Sequence, residues 1–282
     1  MSTPGSLPAR IVLAAVACAW LGAAAAAEPI DVLMIQSGLH KQIGEFEPSV
    51  QAGISQPQAG RKPLDESAMR NLRRAVAIGY APDRMRATVR QYIVRELPPR
   101  EIDEVLAWLA SDTGKRITAI EEKASEPAEA LKMMEGGRKV LEGIDAPRRA
   151  LIERMLTATR AADFNASVMI NTTVAVLRGI ELAAPDAPES SEADKLIARL
   201  RERRPEIVAA MKGDAAAGFA YLYAPLSDAE VEQYVRFAES DAGTKYHDVT
   251  GRAIEIALTE GAQEMGRQLS LAARQQVPRS RT

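Results

Sequence analysis

Residues 97–118, LPPREIDEVLAWLASDTGKRIT, and residues 226–247, LSDAEVEQYVRFAESDAGTKYH, align without a gap. A repeat at so long a spacing restricts the chain to two similar domains or half-domains and argues against a short-period solenoid. Five of the 22 aligned positions are identical: Leu97/Leu226, Glu101/Glu230, Ser111/Ser240, Asp112/Asp241 and Gly114/Gly243. Six more are conservative, among them Trp108/Phe237 and Arg116/Lys245, and Tyr92/Tyr221 and Ala124/Ala253 keep the same spacing on either side.

The physics of the window is that of a helix hairpin. Ser227 and Glu230 have capping-box spacing, in which the hydroxyl accepts from an orphan N–H and the carboxylate reaches back to the cap residue; Leu226 stands where a hydrophobic staple belongs. In the first window Pro98 replaces the cap serine, and Pro99 falls at the first helical position, where a missing N–H costs nothing. Glu101 is retained, so both glutamates have a structural explanation that competes with a catalytic one. Ile102, Val105, Leu106 and Leu109 form one apolar stripe, matched by Val231, Tyr234, Val235 and Ala238. Trp108 and Phe237 widen the stripes and are expected to hold equivalent buried positions. Ser111-Asp112-Thr113-Gly114 and Ser240-Asp241-Ala242-Gly243 then end one helix and start the next, with serine or aspartate as cap and glycine free to adopt positive φ.

With Leu97, Glu101, Ile102, Trp108, Ser111, Gly114 and Arg116 in one window, and Leu226, Ser227, Glu230, Val231, Phe237, Ser240, Gly243 and Lys245 in the other, the motif resembles the family catalogued as domain of unknown function 2059. Residues 35–43, IQSGLHKQI, resemble that family's opening helix, with a fainter counterpart around residues 155–164. Asp112 and Asp241 depart from the family's proline, and Lys115 and Thr244 from its glutamine. The resemblance implies two tandem copies in an exported bacterial helical protein. It implies no activity.

Helical periodicity extends through the rest of the chain, and no segment reads as a strand. The fold expected is all-α: a tandem repeat of two similar helical units, 28–143 and 144–275, each with an amphipathic hairpin. One or two helices are expected between Ile30 and Ile54, a loop at 56–63, helices carrying Val76 and then Met85, Val89 and Ile93, a helix from Pro147 running on towards Leu182, a polar loop at 185–191, and a long helical stretch to Arg274. Gly136-Gly137 is expected to kink or end a helix.

Residues 1–27 read as an export signal, with Arg10, an apolar run from Ile11 to Leu21 and small residues before a cleavage after Ala27. An uncleaved anchor is the alternative. Residues 276–282 read as a disordered tail. Export leads to a periplasmic location, and cleavage removes Cys18, the one cysteine. No transmembrane span is expected in the mature chain.

Charge is balanced, with 36 Lys+Arg against 38 Asp+Glu, and aromatic residues make up 4%. Neither a nucleic-acid field nor stacking platforms follow. The arginines from Arg70 to Arg95 are spaced as a solvated helix face. His40 and His247 are the two histidines, too few for zinc, and His247 reads as a surface residue; no cofactor or metal is expected. The expected function is that of a noncatalytic envelope-maintenance or protein-interaction module with a periplasmic or envelope protein as partner. The alternative is a carrier holding a small apolar or amphipathic ligand between helices lined by Met133, Met134, Met155, Met169 and Met211. A cavity of several hundred Å³ favours the carrier, and an exposed apolar patch without one favours the partner.

Overall fold

The computed structural model describes residues 28–55, 64–182 and 191–276. Residues 1–27, 56–63, 183–190 and 277–282 lie outside them, and with them the expected export signal, the expected 56–63 loop, all but the last residue of the expected 185–191 loop and all but the first of the expected tail. The described residues are all-α: α1 (Pro29–Gln36), α2 (Leu39–Ser55), α3 (Glu66–Gly79), α4 (Pro82–Glu96), α5 (Pro99–Ala110), α6 (Asp112–Ala124), α7 (Pro127–Gly143), α8 (Ala146–Thr159), α9 (Ala161–Leu182), α10 (Ser191–Glu202), α11 (Arg204–Leu222), α12 (Asp228–Glu239) and α13 (Asp241–Gln276).

Both hairpins form with matching bounds: α5 and α12 are 12 residues each, and one serine, Ser111 or Ser240, ends each of them and caps the helix that follows. Ser111 Oγ donates to Trp108 O at 2.6 Å and accepts from Gly114 N at 3.0 Å; Ser240 does the same with Phe237 O at 2.7 Å and Gly243 N at 3.1 Å. The glycines serve differently from expectation. Gly38 is the one described glycine at positive φ, whereas a Cβ at Gly114 or Gly243 would collide with the carbonyl of Trp108 or Phe237. The corner needs absent bulk, not unusual backbone.

Two expected features are corrected. The helix after Pro147 breaks at Arg160, which takes φ 51°, so α8 and α9 are separate. The same corner occurs between α1 and α2 at Gly38, φ 76°, and the bonds Gln42 N to Gly38 O (2.9 Å) and Phe164 N to Arg160 O (3.0 Å) restart the helix alike. Ile30, Leu33 and Met34 are buried ahead of one corner as Ile152, Met155 and Leu156 are ahead of the other. Conversely, α7 runs unbroken through Gly136-Gly137, because those glycines sit where α7 crosses α11: a Cβ at Gly137 would lie 2.8 Å from Ala217 O. Close approach of two backbones offsets the conformational cost of glycine in a helix.

α13 is the spine, 36 residues or about 54 Å long. It packs along α9 and against α3 and α4, while α7 packs on α11. The crossings rest on small residues: Gly79 meets the Gly261 backbone, with a Cβ at Gly79 only 2.6 Å from Gly261 O, and Ala253, Ala257 and Ala262 of α13 are buried. In the first segment Pro127 starts a new helix, α7; 129 positions on stands Ile256, and α13 continues through it. One apolar cluster joins α1 to α5 with residues of α9 and α13, and a second joins Ile117 of α6 to α8, α12 and Tyr223.

Candidate functional site

The capping box of α12 is complete, with Glu230 Oε2 accepting from Ser227 N at 2.8 Å, and Leu226 is buried beside it. Glu230 also pairs with Arg116 of α6, which donates to Pro225 O at 2.9 Å, so the motif glutamate ties the two hairpins together. Arg116 and the Ser227 groups hold its carboxyl below the usual range, Ser227 being the larger influence. Glu101 cannot repeat this. Pro98 has no N–H to offer, and Glu101 Oε2 is buried without a hydrogen-bond partner. Leu97, like Leu226, is buried.

Trp108 and Phe237 are half-buried, not enclosed, because each leans on the other: their rings stack at 4.8 Å and 9°. Trp108 also lies parallel to Tyr234 at 6.0 Å. The motif residues therefore build the seam between hairpins. The arginine-rich stretch is engaged locally: Arg90 pairs with Asp31 and Glu28, Arg86 donates to His40 O at 3.1 Å, and Arg84 donates to Ile78 O at 2.9 Å.

Behind the seam lies a cleft of about 780 Å³, lined from the α1–α2 corner, the α8–α9 corner, α6, α11, α12 and α13. Its floor is polar in an aromatic setting. Glu121 Oε1 accepts from Tyr223 Oη at 2.7 Å and from Tyr234 Oη at 3.1 Å. Burial pushes the Glu121 carboxyl above its ordinary range, and the two hydroxyls only partly oppose this. Tyr223 and Tyr234 meet edge to face at 5.8 Å and 80°. Burial drives both hydroxyls well above the usual tyrosine range, with the Glu121 charge acting the same way. Tyr246 is raised by burial too, which a hydrogen bond to Ser37 offsets.

His247 corrects the sequence reading. Its ring packs among Tyr234, Phe237 and Tyr246, at 6.2, 6.2 and 5.3 Å, and its Nε2 is buried without a partner. Burial lowers its pKa to about 4, against a small opposing effect of Asp248; the imidazole is neutral at neutral pH. Asp248 itself faces Arg160 at 3.4 Å. His40 is exposed.

Of the five methionines expected around a ligand, Met133 alone lines the cleft; Met155 is core and Met134 is 78% exposed. The sequence reading missed Glu121, Tyr223, Tyr234 and Tyr246 as a group. A signal was present in the aligned windows: Tyr234, Tyr246 and His247 stand opposite Val105, Ile117 and Thr118, so the two halves differ in polarity where the cleft lies. Arg148 was also missed. It is buried and donates to Tyr223 O (2.5 Å), Leu226 O (3.1 Å) and Asp228 (2.9 Å), closing the turn that presents Tyr223.

Among the described residues no cluster of three or more His, Cys, Asp or Glu could hold a metal ion, and no helix is long and apolar enough to cross a membrane. No curated protein and no solved structure matches the chain. Residues 83–142, which span α4 to α7 and contain the first of the two aligned windows, match the family model described as uncharacterized protein conserved in bacteria (DUF2059).

Proposed function

We propose that this is a noncatalytic, exported binding protein in which two tandem copies of a helical unit enclose a cleft for a small amphipathic ligand. The observation that carries the reading is the cleft itself, about 780 Å³ with aromatic rings and paired charged groups in its lining, a size typical of small-molecule sites. Among the described residues the exposed large apolar side chains are Leu64, ahead of α3, and Ile35, Val94, Leu131, Met134, Ile180 and Leu196, spread over α1, α4, α7, α9 and α10. That distribution favours an internal ligand over a protein docked on one apolar face. The noncatalytic reading draws support from the polar floor: Glu121 is tied to two tyrosines, and His247 Nε2 has no hydrogen-bonded nucleophile to activate. Duplication is supported by the paired serine corners, the paired α5 and α12 and the left-handed corners at Gly38 and Arg160.

The test is native mass spectrometry of the mature chain purified without detergent, with small molecules released by denaturation identified. A stoichiometric amphipathic ligand, lost from Gly218→Phe, is expected, since Gly218 borders the cleft opposite Met133. Equal ligand loading in that variant would move binding elsewhere. N-terminal sequencing tests export: a start at Glu28 is expected, and a start at Met1 with the chain in the membrane fraction would replace the signal with an anchor.

A further inference from the structure

We infer that the cleft is specific for an ammonium group, with Glu121 as counter-ion at the foot of its aromatic wall. The inference rests on the ligand-binding reading above and names the chemistry of its headgroup. Tyr223, Tyr234 and Tyr246 all line the cleft beside Glu121, and Phe164 and Phe219 extend the aromatic wall. A cation over such faces is held by the ring quadrupoles, most strongly where water is excluded. The hydroxyls of Tyr223 and Tyr234 point at Glu121 Oε1, so the carboxylate is held at the rim of two buried rings.

Charge around the cleft has the same sign as its floor. The lining contains five carboxylates, Glu121, Asp163, Asp214, Asp248 and Glu255, against the three guanidiniums of Arg160, Arg204 and Arg252. Each of those arginines is already paired, with Asp248, Asp163 and Glu255 respectively, and Asp214 is paired with Arg138 of α7. Glu121 is the acid on the floor bonded to hydroxyls alone, without a cation. A buried carboxylate without a counter-ion favours protonation, and an arriving ammonium supplies that counter-ion. His247 Nε2 adds a buried, unpartnered nitrogen on the same wall, and as neutral imidazole it repels no cation. In its acceptor tautomer it receives an N–H from a primary amine.

Calorimetric titration of the mature chain with octyltrimethylammonium, tetramethylammonium, octan-1-ol and octanoate decides the matter. Octyltrimethylammonium is expected to bind at least tenfold more tightly than octan-1-ol. Glu121→Gln keeps an acceptor for both tyrosines and should bring the two to parity without weakening octan-1-ol. Binding of tetramethylammonium alone identifies a free small amine as the ligand class; a requirement for the octyl chain identifies an amphiphile or lipid headgroup. Either supports the assignment. Equal affinity for octan-1-ol, preference for octanoate, or an unchanged preference in Glu121→Gln overturns the ammonium assignment and leaves the ligand cleft standing. Binding of none of the four overturns both. Should Glu121→Gln not fold, the wild-type comparison of ammonium with alcohol still decides.

Discussion

Stacking of Trp108 on Phe237 places two residues from equivalent positions of α5 and α12 against each other, so their contributions cannot be independent. Because both rings are half-buried, each alanine variant should lose about 1–3 kcal/mol, less than the ~3–5 kcal/mol of a fully enclosed ring. A double-mutant cycle followed by denaturant melts should return a coupling of about 0.5–1.5 kcal/mol. Strict additivity would mean that the rings only neighbour each other. On the cleft floor the two buried titratable groups pull in opposite directions. His247 has its folded pKa depressed to about 4, so its stabilising contribution is complete above the ordinary histidine value of 6.5 and is lost as pH falls towards 4. Its ring neighbours are Tyr234 and Phe237 of α12 and Tyr246 of its own helix, on which Asp248 is turned to Arg160. Glu121 has its pKa raised, so its contribution is complete below 4.5 and is lost as pH rises. Chemical denaturation from pH 4 to 8 should therefore show His247→Gln losing less on acidification than the wild type, by up to about 3 kcal/mol. Glu121→Gln should gain on the wild type as pH rises. Parallel pH profiles for all three proteins would show that neither group titrates differently in the folded state.

At the scale of elements, glycine separates packing from propensity. Gly137 and Gly213 both lie inside helices, yet a Cβ at Gly137 meets Ala217 O at 2.8 Å while one at Gly213 meets nothing within 4 Å. Gly213→Ala should raise stability by about 0.5–1 kcal/mol, the helix-propensity difference. Gly137→Ala should lower it by about 1–3 kcal/mol, because α7 and α11 must move apart. Melts of the two variants check this, and the same sign at both positions would remove the crossing from the account. These pairs also mark what sequence could and could not convey. Caps at Ser111, Ser227 and Ser240 were legible because a cap is a local exchange of hydrogen bonds between near neighbours. The reason for Gly136-Gly137 was not, since it resides in a helix 80 residues away. Arg160 at positive φ was equally hidden: any residue can be forced into that conformation when the helices on both sides are anchored. Glu121 was unreadable for the same reason as Gly137. Its tyrosine partners lie 102 and 113 residues further on, and nothing beside it in sequence announces them.

For the whole molecule, the decisive feature is that the last helix of each segment packs against the other segment. α13 lies on α3 and α4, and α7 lies on α11. The apolar cluster around Val76, Val89, Ile93 and Val105 is completed by Val249, Ala253, Ala257 and Leu258 from α13. Each apolar cluster draws residues from both segments, and the cleft is lined from both, Glu121 coming from α6 and its tyrosines from residues 223 and 234. The expectation of two units, read from the similarity between the windows, did not include this exchange, because repetition specifies internal structure and says nothing of which segment supplies a neighbour. The consequence is measurable. The mature chain should melt in one cooperative transition, with coincident far-ultraviolet circular dichroism and Trp108 fluorescence curves. A fragment ending at residue 143 should show helix signal without a cooperative melt, because Val89 and Ile93 would face water where α13 had covered them. Adding a fragment of residues 144–282 should restore the transition in the mixture. A fragment 28–143 that melts cooperatively by itself would show that the first segment carries a self-sufficient core, and that the exchange of α7 and α13 joins two domains that are each already folded.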